Sequence, residues 1–459
     1  MNKQRNIYSK QAQEDFFSTG NTLSYDFRKA MLLRFKEMLN INKDRIAAAV
    51  EADFGKAYFE AYATEILMIY DELNYMLKNL KSLMKPKRVR TSLVHFYSKS
   101  QVISEPFGNV LIVSPWNYPF TLSLTPMIGA MAAGNTVVLK PSEITPNSSA
   151  LMKEMIAENF PPEYITVVEG EAETTQNLIK DNFDYLFFTG SGRVGREVMK
   201  TASETLTPVT LELGGKSPAI VTEESDLVKA AVRIAWGKTV NAGQTCIAPD
   251  YVLVHESVKN QLVLLLQQAF EKLHGLDVFS NDDFPSIINK EHFERIQRLY
   301  EEETVLYGGQ ADAATRKIAP TIVDEPTLDS EIMQEEIFGP VLPVLSYQSL
   351  DEVVEVIRER EKPLALYLFT ENETVKKYFS IHLSFGGGAI NDTLIHFANN
   401  NMPFGGVGGS GMGSYHGKYS FETFSHQKGL TEKTTLFDIP FRYPPYTNLK
   451  EKVIQFIAR

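Results

Sequence analysis

The chain has 459 residues, which is too long for one ordinary hydrophobic core and therefore predicts two or three domains. Hydrophobic residues make up 43% of the chain and charged residues 22%, which is typical of a globular enzyme and not of a disordered protein. The formal net charge is -11, and the charges are spread along the chain, which disfavours a nucleic-acid partner.

Cysteine usage and hydropathy indicate the compartment. The chain has one cysteine, Cys246, and so cannot form an internal disulfide. Its first residues lack the apolar stretch of a secretory signal, and no apolar run reaches the roughly 18 to 20 residues that span a bilayer. We therefore expect a cytoplasmic protein without an integral membrane anchor. The eight histidines show no metal-ligand spacing, so we expect no metal site.

The first part of the chain is predicted to be helical. Residues 8–84 carry apolar side chains at three- and four-residue spacing. Residues 85–90 break this pattern, and residues 93–103 then alternate like an exposed strand or hairpin.

From residue 108 onward, predicted strands and helices alternate. Strands are predicted at residues 109–114, 136–140, 165–168 and 185–189, with helices at 122–133, at 148–158 and from 193 onward. A second round runs over residues 219–347, with helices at 226–237 and 258–273 and a strand at 251–254. Such alternation with short connections predicts two α/β domains, each with a parallel sheet covered on both faces.

A glycine-rich turn follows the predicted strand at 185–189. It runs from Thr189 through Gly190 and Ser191 to Gly195 and opens a helix, whose N-terminal N–H groups can bind a pyrophosphate. Glu212 follows at about the spacing of a ribose-binding carboxylate, so the pattern alone is a dinucleotide fingerprint. The same spacing of glycines recurs at residues 406–411 without a preceding strand, where a tight loop is the better interpretation.

Cys246 lies in the segment Asn-Ala-Gly-Gln-Thr-Cys-Ile-Ala-Pro, residues 241–249, which is typical of a constrained loop. A lone cysteine is usually a small buried hydrophobe, whereas a nucleophile needs a nearby base and oxyanion donors. Asn117 and Glu212 both follow predicted strands, and the carboxyl ends of parallel strands meet at one crevice. Taken singly, Asn117 is more simply a turn residue and Glu212 a solvent-facing carboxylate.

Six different short motifs are distributed along nearly the whole chain. They are Pro-Trp-Asn at 115–117, Lys-Pro-Ser-Glu at 140–143, Phe-Thr-Gly-Ser at 188–191, Glu-Leu-Gly-Gly-Lys at 212–216, Gly-Gln-Thr-Cys at 243–246 and Glu-Ile-Phe-Gly-Pro at 336–340. In order and spacing they resemble the NAD(P)-dependent aldehyde dehydrogenases. The motifs at 403–408, 411–418 and 442–446 resemble the class 3 branch, whose members take fatty and aromatic aldehydes.

The resemblance implies an α/β fold with two doubly wound, Rossmann-like parallel-sheet domains and a small β oligomerisation flap. An NAD(P)-binding domain is implied at residues 1–86 and 107–212, and a catalytic domain at 213–430. Oligomerisation or bridging segments are implied at 87–106 and 431–459. A homodimer is implied as well, with the strand-like residues 93–103 as a candidate exposed edge that a partner could cover.

The resemblance also implies roles for the site residues. Cys246 becomes the nucleophile, Asn117 the oxyanion donor, and Glu212 the general base for the hydrolytic water instead of a ribose ligand. The ribose contact moves to Lys140 and Glu143, and a carboxylate there favours NAD over NADP. The full implied set of NAD contacts, some of which could also serve NADP, is Trp116, Lys140, Glu143, Thr189, Gly190, Ser191, Gly195, Glu336 and Phe338.

The function predicted in this way is oxidation of a medium- to long-chain aliphatic or aromatic aldehyde to its acid through a thiohemiacetal and a thioester on Cys246. Candidate walls of the aldehyde channel are Tyr118, Ile247, Phe397 and Phe404, although aromatic residues beside motifs are commonly core. For His416, a local hydrogen bond is a simpler interpretation than proton shuttling.

Two alternatives remain open. A CoA-acylating relative would release the thioester to a thiol, and Glu212 disfavours it because that chemistry needs no activated water. A catalytically silent scaffold or binding protein is disfavoured by the joint presence of Cys246, Glu212 and Asn117.

Overall fold

The structure is a computed structural model that describes residues 8–92, 95, 97–436, 438 and 442–457. Its helices are α1 Lys10–Ser18, α2 Tyr25–Phe54, α3 Tyr58–Ala61, α4 Leu67–Leu83, α5 Thr121–Ala133, α6 Pro146–Asn159, α7 Ala172–Lys180, α8 Gly192–Ser203, α9 Leu227–Thr239, α10 Lys259–His274, α11 Lys290–Glu301, α12 Glu331–Gln334, α13 Leu350–Arg358, α14 Glu373–His382, α15 Lys418–Thr423 and α16 Asn448–Ile457.

The strands of the described residues form four sheets. They are β1 Lys87–Val89, β2 Ser98–Pro106, β3 Asn109–Val113, β4 Thr136–Lys140, β5 Ile165–Val167, β6 Tyr185–Thr189, β7 Val209–Glu212, β8 Pro218–Val221, β9 Tyr251–His255, β10 Val305–Tyr307, β11 Ala311–Asp312, β12 Lys317–Ile318, β13 Thr321–Asp324, β14 Val341–Tyr347, β15 Ala365–Phe369, β16 Gly387–Ile390, β17 Gly411–Met412 and β18 Ser425–Lys433.

The first large sheet has six strands in the order β17-β7-β6-β3-β4-β5. Strands β3 to β7 pair in parallel, and β17 returns from far along the chain to pair antiparallel with β7. Every residue of β3 and β4 is buried, as expected for parallel strands covered on both faces. Helix α5 is buried along its whole length. This sheet confirms the α/β alternation predicted from residue 108 onward.

The second large sheet has seven strands in the order β10-β13-β14-β9-β8-β15-β16. All of its pairings are parallel except that of β10 with β13. The short segment 213–217 connects β7 of the first sheet to β8 of the second. Since Glu212 ends β7, the carboxylate lies where the chain passes from one sheet to the other.

The third sheet corrects one prediction. Its order is β1-β2-β18, and both pairings are antiparallel. Strand β2, which contains most of the predicted strand at 93–103, is therefore central, and the prediction that it is an exposed edge is wrong. The pairing partner β18 comes from the far end of the chain, so local alternation could not reveal it. Leu93, Val94 and Phe96 of the predicted strand lie outside the described residues.

The helical opening segment packs on the first sheet domain, with α2 against α6 and α4 against α5. A π-helical turn at Tyr62–Ile66 lies between α3 and α4. Such turns are rare and frequently occur at functional sites. Among the described residues, no helix combines the length and the apolar character needed to cross a membrane.

Candidate active site

Cys246 lies on a loop between α9 and β9 that begins with the 3-10 turn Val240–Gly243. Asn241 has a φ of 54°, a left-handed conformation that is unfavourable for a residue with a Cβ atom. Gln244 fixes this loop, because its Nε2 donates to the carbonyl of Asn241 at 3.0 Å and to that of Ser286 at 3.1 Å. The nucleophile candidate is therefore carried on a strained but tightly tethered turn.

Gly243 brings this loop against a second one. Its φ is +77°, and a Cβ atom at this position would lie 2.3 Å from the carbonyl oxygen of Gly339. The second loop, residues 335–340, precedes β14 and carries Glu336 and Phe338. Only glycine permits both the backbone conformation and this close approach.

Asn117 is buried and tied to the cysteine loop. Its Nδ2 donates to the carbonyl of Gln244 at 3.1 Å, and its own carbonyl accepts from Asn241 Nδ2 at 2.9 Å. A primary amide has two N–H donors, so one remains for a ligand. The structure thus joins Asn117 to the loop of Cys246, although the two are far apart in sequence.

Glu212 is 3% exposed, and neither of its carboxylate oxygens has a hydrogen-bond partner within the described part of the chain. Burial alone raises the pKa of this carboxyl well above its ordinary value. A desolvated carboxylate is a stronger base than one in water, which is the property expected of a general base.

The thiol of Cys246 also has a raised pKa, first because of burial and then because of the negative charges of Glu336 and Glu212. The pKa of Glu336 is raised to about 8 by burial, with Asp250 adding to the effect. The sulfur and both carboxyl groups are therefore electrostatically coupled, and the thiol is protonated at neutral pH.

A cavity of about 240 Å³ collects most of the predicted site. Cys246, Asn117 and Glu212 all line it, together with the predicted cofactor contacts Trp116, Thr189, Gly190, Ser191, Glu336 and Phe338. The same wall contains residues that the sequence analysis did not identify, namely Pro115, Leu122, Leu213, Gly214, His292, Arg295, Leu364 and Tyr415.

Three predicted cofactor contacts do not line this cavity. Lys140 is buried, and its Nζ donates to the carbonyl of Pro141 at 2.8 Å and to Glu143 Oε2 at 3.3 Å. A Cβ atom on Gly195 would lie 2.5 Å from Leu213 Cδ2, so this glycine permits close packing of α8 against the end of β7. The role of Gly195 in the structure is therefore packing. Lys140 and Glu143 form an ion pair outside the cavity.

The first cavity has polar features that point to a ligand. Ser191 caps α8, its Oγ accepting the N–H of Val194 at 3.5 Å, so the positive end of a helix dipole begins at the cavity wall. Thr189 Oγ1 and Glu336 Oε1 are buried and have no hydrogen-bond partner in the described chain. Unpartnered buried polar atoms beside a helix N-terminus fit a ligand that carries both hydroxyl and phosphate groups.

A basic network that the sequence analysis missed holds the Glu336 loop. Lys216 Nζ donates to the carbonyls of Ile332 at 2.7 Å and Glu335 at 2.8 Å, and Arg295 donates to the carbonyl of Ile337 at 2.6 Å. The loop's conformation thus depends on cations from β7–β8 and α11. Lys216 stands in a quoted motif, but no sequence signal marks Arg295.

A second cavity, of about 230 Å³, also ends at Cys246. The predicted channel residues Tyr118, Ile247 and Phe397 line it. Its other walls are mostly apolar and were not predicted: Ala63, Thr64, Met68, Thr121, Leu122, Trp236, Val240, Thr245, Leu394, Ile395 and Ala398. Cys246 therefore lines both a cavity with polar features and a predominantly apolar one.

Phe404 differs from its prediction. It lines the first cavity instead of the second, and its ring meets Phe397 edge-on at 4.8 Å. His416 packs against Phe397 at 4.6 Å and Tyr415 at 4.4 Å, and its backbone N–H donates to Ser420 Oγ at 2.8 Å, a local hydrogen bond of the kind expected. Burial among aromatic rings lowers the pKa of His416 to about 3, so the ring is neutral at physiological pH.

The described residues contain no group of three or more histidine, cysteine, aspartate or glutamate side chains that could hold a metal ion.

Comparison with known proteins shows the family of the chain. The aldehyde dehydrogenase family model matches residues 3–430. The 4,4'-diaponeurosporen-aldehyde dehydrogenase of Staphylococcus aureus (strain NCTC 8325 / PS 47) is 49% identical over 433 residues, which cover 94% of each chain. The dimeric NADP-preferring aldehyde dehydrogenase of Canis lupus familiaris is 43% identical over 431 residues, covering 94% of this chain and 95% of the relative.

Two further relatives extend this comparison. Aldehyde dehydrogenase family 3 member H1 of Arabidopsis thaliana is 42% identical over 447 residues, covering 96% of this chain and 92% of the relative. The solved substrate-bound state of Staphylococcus aureus AldH superposes with a TM-score of 0.96 at 48% identity and covers 98% of both chains. The chain belongs to the aldehyde dehydrogenase family, in its class 3-like branch.

Proposed function

We propose that the chain oxidises a medium- to long-chain aliphatic or aromatic aldehyde to its carboxylic acid, with NAD as the preferred cofactor and NADP as a second one. The observation that carries this proposal is the position of Cys246, which lines both cavities. One cavity has the polar features of a dinucleotide site, and the other offers mostly apolar walls to an aldehyde chain.

In the acylation step, Cys246 loses its proton and its sulfur attacks the aldehyde carbon. Because burial and two carboxylates raise the thiol pKa, the attacking thiolate is a minor species, and its proton leaves to solvent water before the attack. The free N–H of the Asn117 amide and the backbone N–H of Cys246 would stabilise the resulting oxyanion. Losing one such donor typically lowers kcat by about 10²–10³.

The cofactor contacts proposed from this geometry are Trp116, Thr189, Ser191, Glu336 and Phe338 along the cavity. The ribose contacts proposed from the resemblance are Lys140 and Glu143. A bound nicotinamide dinucleotide supplies the hydride acceptor, and a thioester is then left on Cys246.

Deacylation is assigned to Glu212. Its carboxylate takes a proton from a water molecule, the resulting hydroxide attacks the thioester carbonyl, and the Cys246 thiolate leaves as the carboxylic acid is released. The buried position of Glu212 suits this role, because no protein hydrogen bond competes for its oxygens within the described structure. General-base assistance of this kind is typically worth about 10²–10⁴ in rate.

The apolar second cavity supports the substrate class, and one relative is named for a specific aldehyde, 4,4'-diaponeurosporen-aldehyde. For the cofactor, the partly exposed carboxylate of Glu143 disfavours a 2′-phosphate, whereas another relative is named NADP-preferring. That relative is also named dimeric, which supports a homodimer. A cytoplasmic location suits a chain whose one cysteine has to stay reduced.

The test uses two variants with an aldehyde panel of increasing chain length that includes 4,4'-diaponeurosporen-aldehyde. Cys246→Ala should abolish NADH formation, and near-normal turnover by the folded variant would refute the nucleophile assignment. Glu212→Gln should lower steady-state turnover by about 10²–10⁴ while a single-turnover burst of NADH remains. Equal loss of burst and steady state would refute a role confined to deacylation.

A further inference from the structure

Lys56 is a buried cation that the proposed reaction does not use. It follows Gly55 at the end of α2, its side chain is 0% exposed, and its Nζ has no hydrogen-bond partner within the described residues. An ammonium group buried without hydrogen bonds is unfavourable unless other interactions replace its hydration.

Two aromatic rings and one carboxylate surround this ammonium group. Its Nζ lies 4.5 Å from the ring centroid of Tyr118, 5.1 Å from that of Phe54, and 3.8 Å from Glu65 Oε1. Burial lowers the pKa of Lys56, while the charges of Glu65 and Glu60 raise it. The cation is thus held by ring faces and by charge, in a geometry that favours one orientation of the Tyr118 ring.

Glu65 connects this cation to the substrate cavity. It belongs to the π-helical turn Tyr62–Ile66, and its Oε2 accepts the backbone N–H of Phe120 at 3.2 Å and of Thr121 at 2.8 Å. These N–H groups lie at the start of α5, directly after Tyr118. Lys56 and Glu65 therefore fix both the ring of Tyr118 and the backbone that follows it.

Tyr118 transmits this arrangement to the nucleophile loop. Its hydroxyl lies 2.6 Å from Thr245 Oγ1, and Thr245 directly precedes Cys246. Tyr118, Thr245 and Cys246 all line the apolar cavity. We propose that Lys56 is a positioning residue for the proposed reaction: its buried ammonium holds the Tyr118 ring, and Tyr118 in turn holds the loop that presents Cys246 to the aldehyde.

This inference rests on the proposed role of Cys246. It also gives a reason why the ammonium group of Lys56 is buried beside Tyr118. A methionine of similar length would fill the space without the cost of dehydrating an ammonium group. What methionine cannot supply is the attraction to the faces of two rings, which restrains the ring that reaches Thr245.

The experiment is a double-mutant cycle on the full-length protein. Lys56→Met removes the cation, and Lys56→Met/Glu65→Gln removes both buried charges, so that no uncompensated charge threatens folding. Each is made in the wild-type background and in Tyr118→Leu, which lacks the ring. Lys36→Met is the matched control, because Lys36 lies in α2, bonds to exposed Asn74 and lines neither cavity.

Two quantities are measured for each folded variant. One is the single-turnover rate of NADH formation, and the other is the rate of Cys246 alkylation by iodoacetamide, which needs no turnover and reports on the chain's one cysteine. We expect charge removal to slow NADH formation about tenfold or more, as misplacement of reacting groups does. We expect it to change the alkylation rate about threefold or more, and both effects should vanish in Tyr118→Leu.

Equal effects of charge removal with and without the Tyr118 ring would overturn the proposal, since Lys56 would then act by another route. Unchanged rates in the folded Lys56→Met/Glu65→Gln variant would overturn it as well. A failure of the proposed function can be distinguished from a failure of this inference. In that case NADH formation would persist in Cys246→Ala, while the alkylation rates of the other variants would still report on the position of the Cys246 loop.

Discussion

At the scale of single residues, the site is defined by groups whose burial changes their chemistry. Glu212 and Glu336 lie near Cys246 with raised pKa values, and the sulfur has the raised pKa expected beside two buried carboxyls. Each of these residues stands in a motif that the sequence analysis quoted. The direction in which the thiol pKa is shifted could not be predicted from the motif, because it depends on which neighbours share the cavity.

The pH dependence of alkylation tests this arrangement in the cofactor-free protein. Because burial and negative charge both oppose the thiolate, the alkylation rate of Cys246 should keep rising from pH 7 to pH 9 without a plateau. Glu336→Gln removes one negative charge, and it should raise the rate at pH 9 by up to about tenfold, which corresponds to one unit of thiol pKa. The gain should be smaller at pH 7, where a carboxyl with a pKa of about 8 is mostly neutral. A plateau reached near pH 7 would contradict the raised thiol pKa.

At the scale of elements, three loops converge on the sulfur. They follow β3, precede β9 and precede β14, and they carry Asn117, Cys246 and Glu336 respectively. Hydrogen bonds of Asn117 and Asn241 join the first loop to the second. Close backbone contact at Gly243 joins the second loop to the third. The relative positions of the three loops therefore depend on these contacts.

Gly243→Ala tests the contact between the last two loops. The new Cβ atom would strain a residue with a φ of +77° and also meet the carbonyl oxygen of Gly339, so both stability and NADH formation should fall. Gly20→Ala is the matched control, because Gly20 is left-handed with a φ of 73° and a ψ of 4°, and a Cβ atom there would meet only Leu23 Cδ1, at an ordinary 3.7 Å. The control should lose only about 1–2 kcal/mol of unfolding free energy from backbone strain. Equal losses in denaturant unfolding and equal activities for the two variants would show that the loop contact is unimportant.

At the scale of the whole molecule, several carboxyl groups are buried in the folded state. Glu72 in α4 accepts the backbone N–H of Gly417 at 2.8 Å and 3.1 Å and so ties the N-terminal helices to the C-terminal part of the chain. Burial raises the pKa of Glu72, and likewise that of Glu65, to about 7. Between pH 5 and pH 8 these two carboxyls therefore bind more protons in the folded state than in the unfolded chain.

The contribution of these two carboxyls to the unfolding free energy should consequently fall as pH rises through this window, since its slope follows the difference in bound protons. Glu72→Gln should remove its share of this fall, up to about 3 kcal/mol between pH 5 and pH 8, because a glutamine has no proton to lose. Glu154→Gln is the same chemical change at an exposed carboxylate paired with Arg45, and it should leave the slope unchanged. Denaturant unfolding across pH measures this, and a Glu72→Gln curve as steep as that of the wild type would contradict it.

Local sequence determined the elements and the chemistry of the site. Strands β3 to β6 could be predicted because continuous apolar runs between short turns are local signals, and Asn117 and Glu212 could be brought together because parallel strands end at one edge. The structure places these two side chains around one cavity with Cys246, as expected. Their catalytic roles remain proposals.

Only the tertiary structure decided the rest. Strand β2 is central because β18 pairs with it from far along the chain, and Phe404 lines the first cavity because of the rings packed around it. Lys56 meets Glu65 and Tyr118 without any shared motif, and of the three only Tyr118 lines the second cavity among its described walls. Strand pairing and cavity walls depend on neighbours that are distant in sequence. The pKa shifts depend on them too, because every neighbour that excludes water from a carboxyl or thiol adds to its desolvation. Turn and strand signals, in contrast, depend on a few adjacent residues.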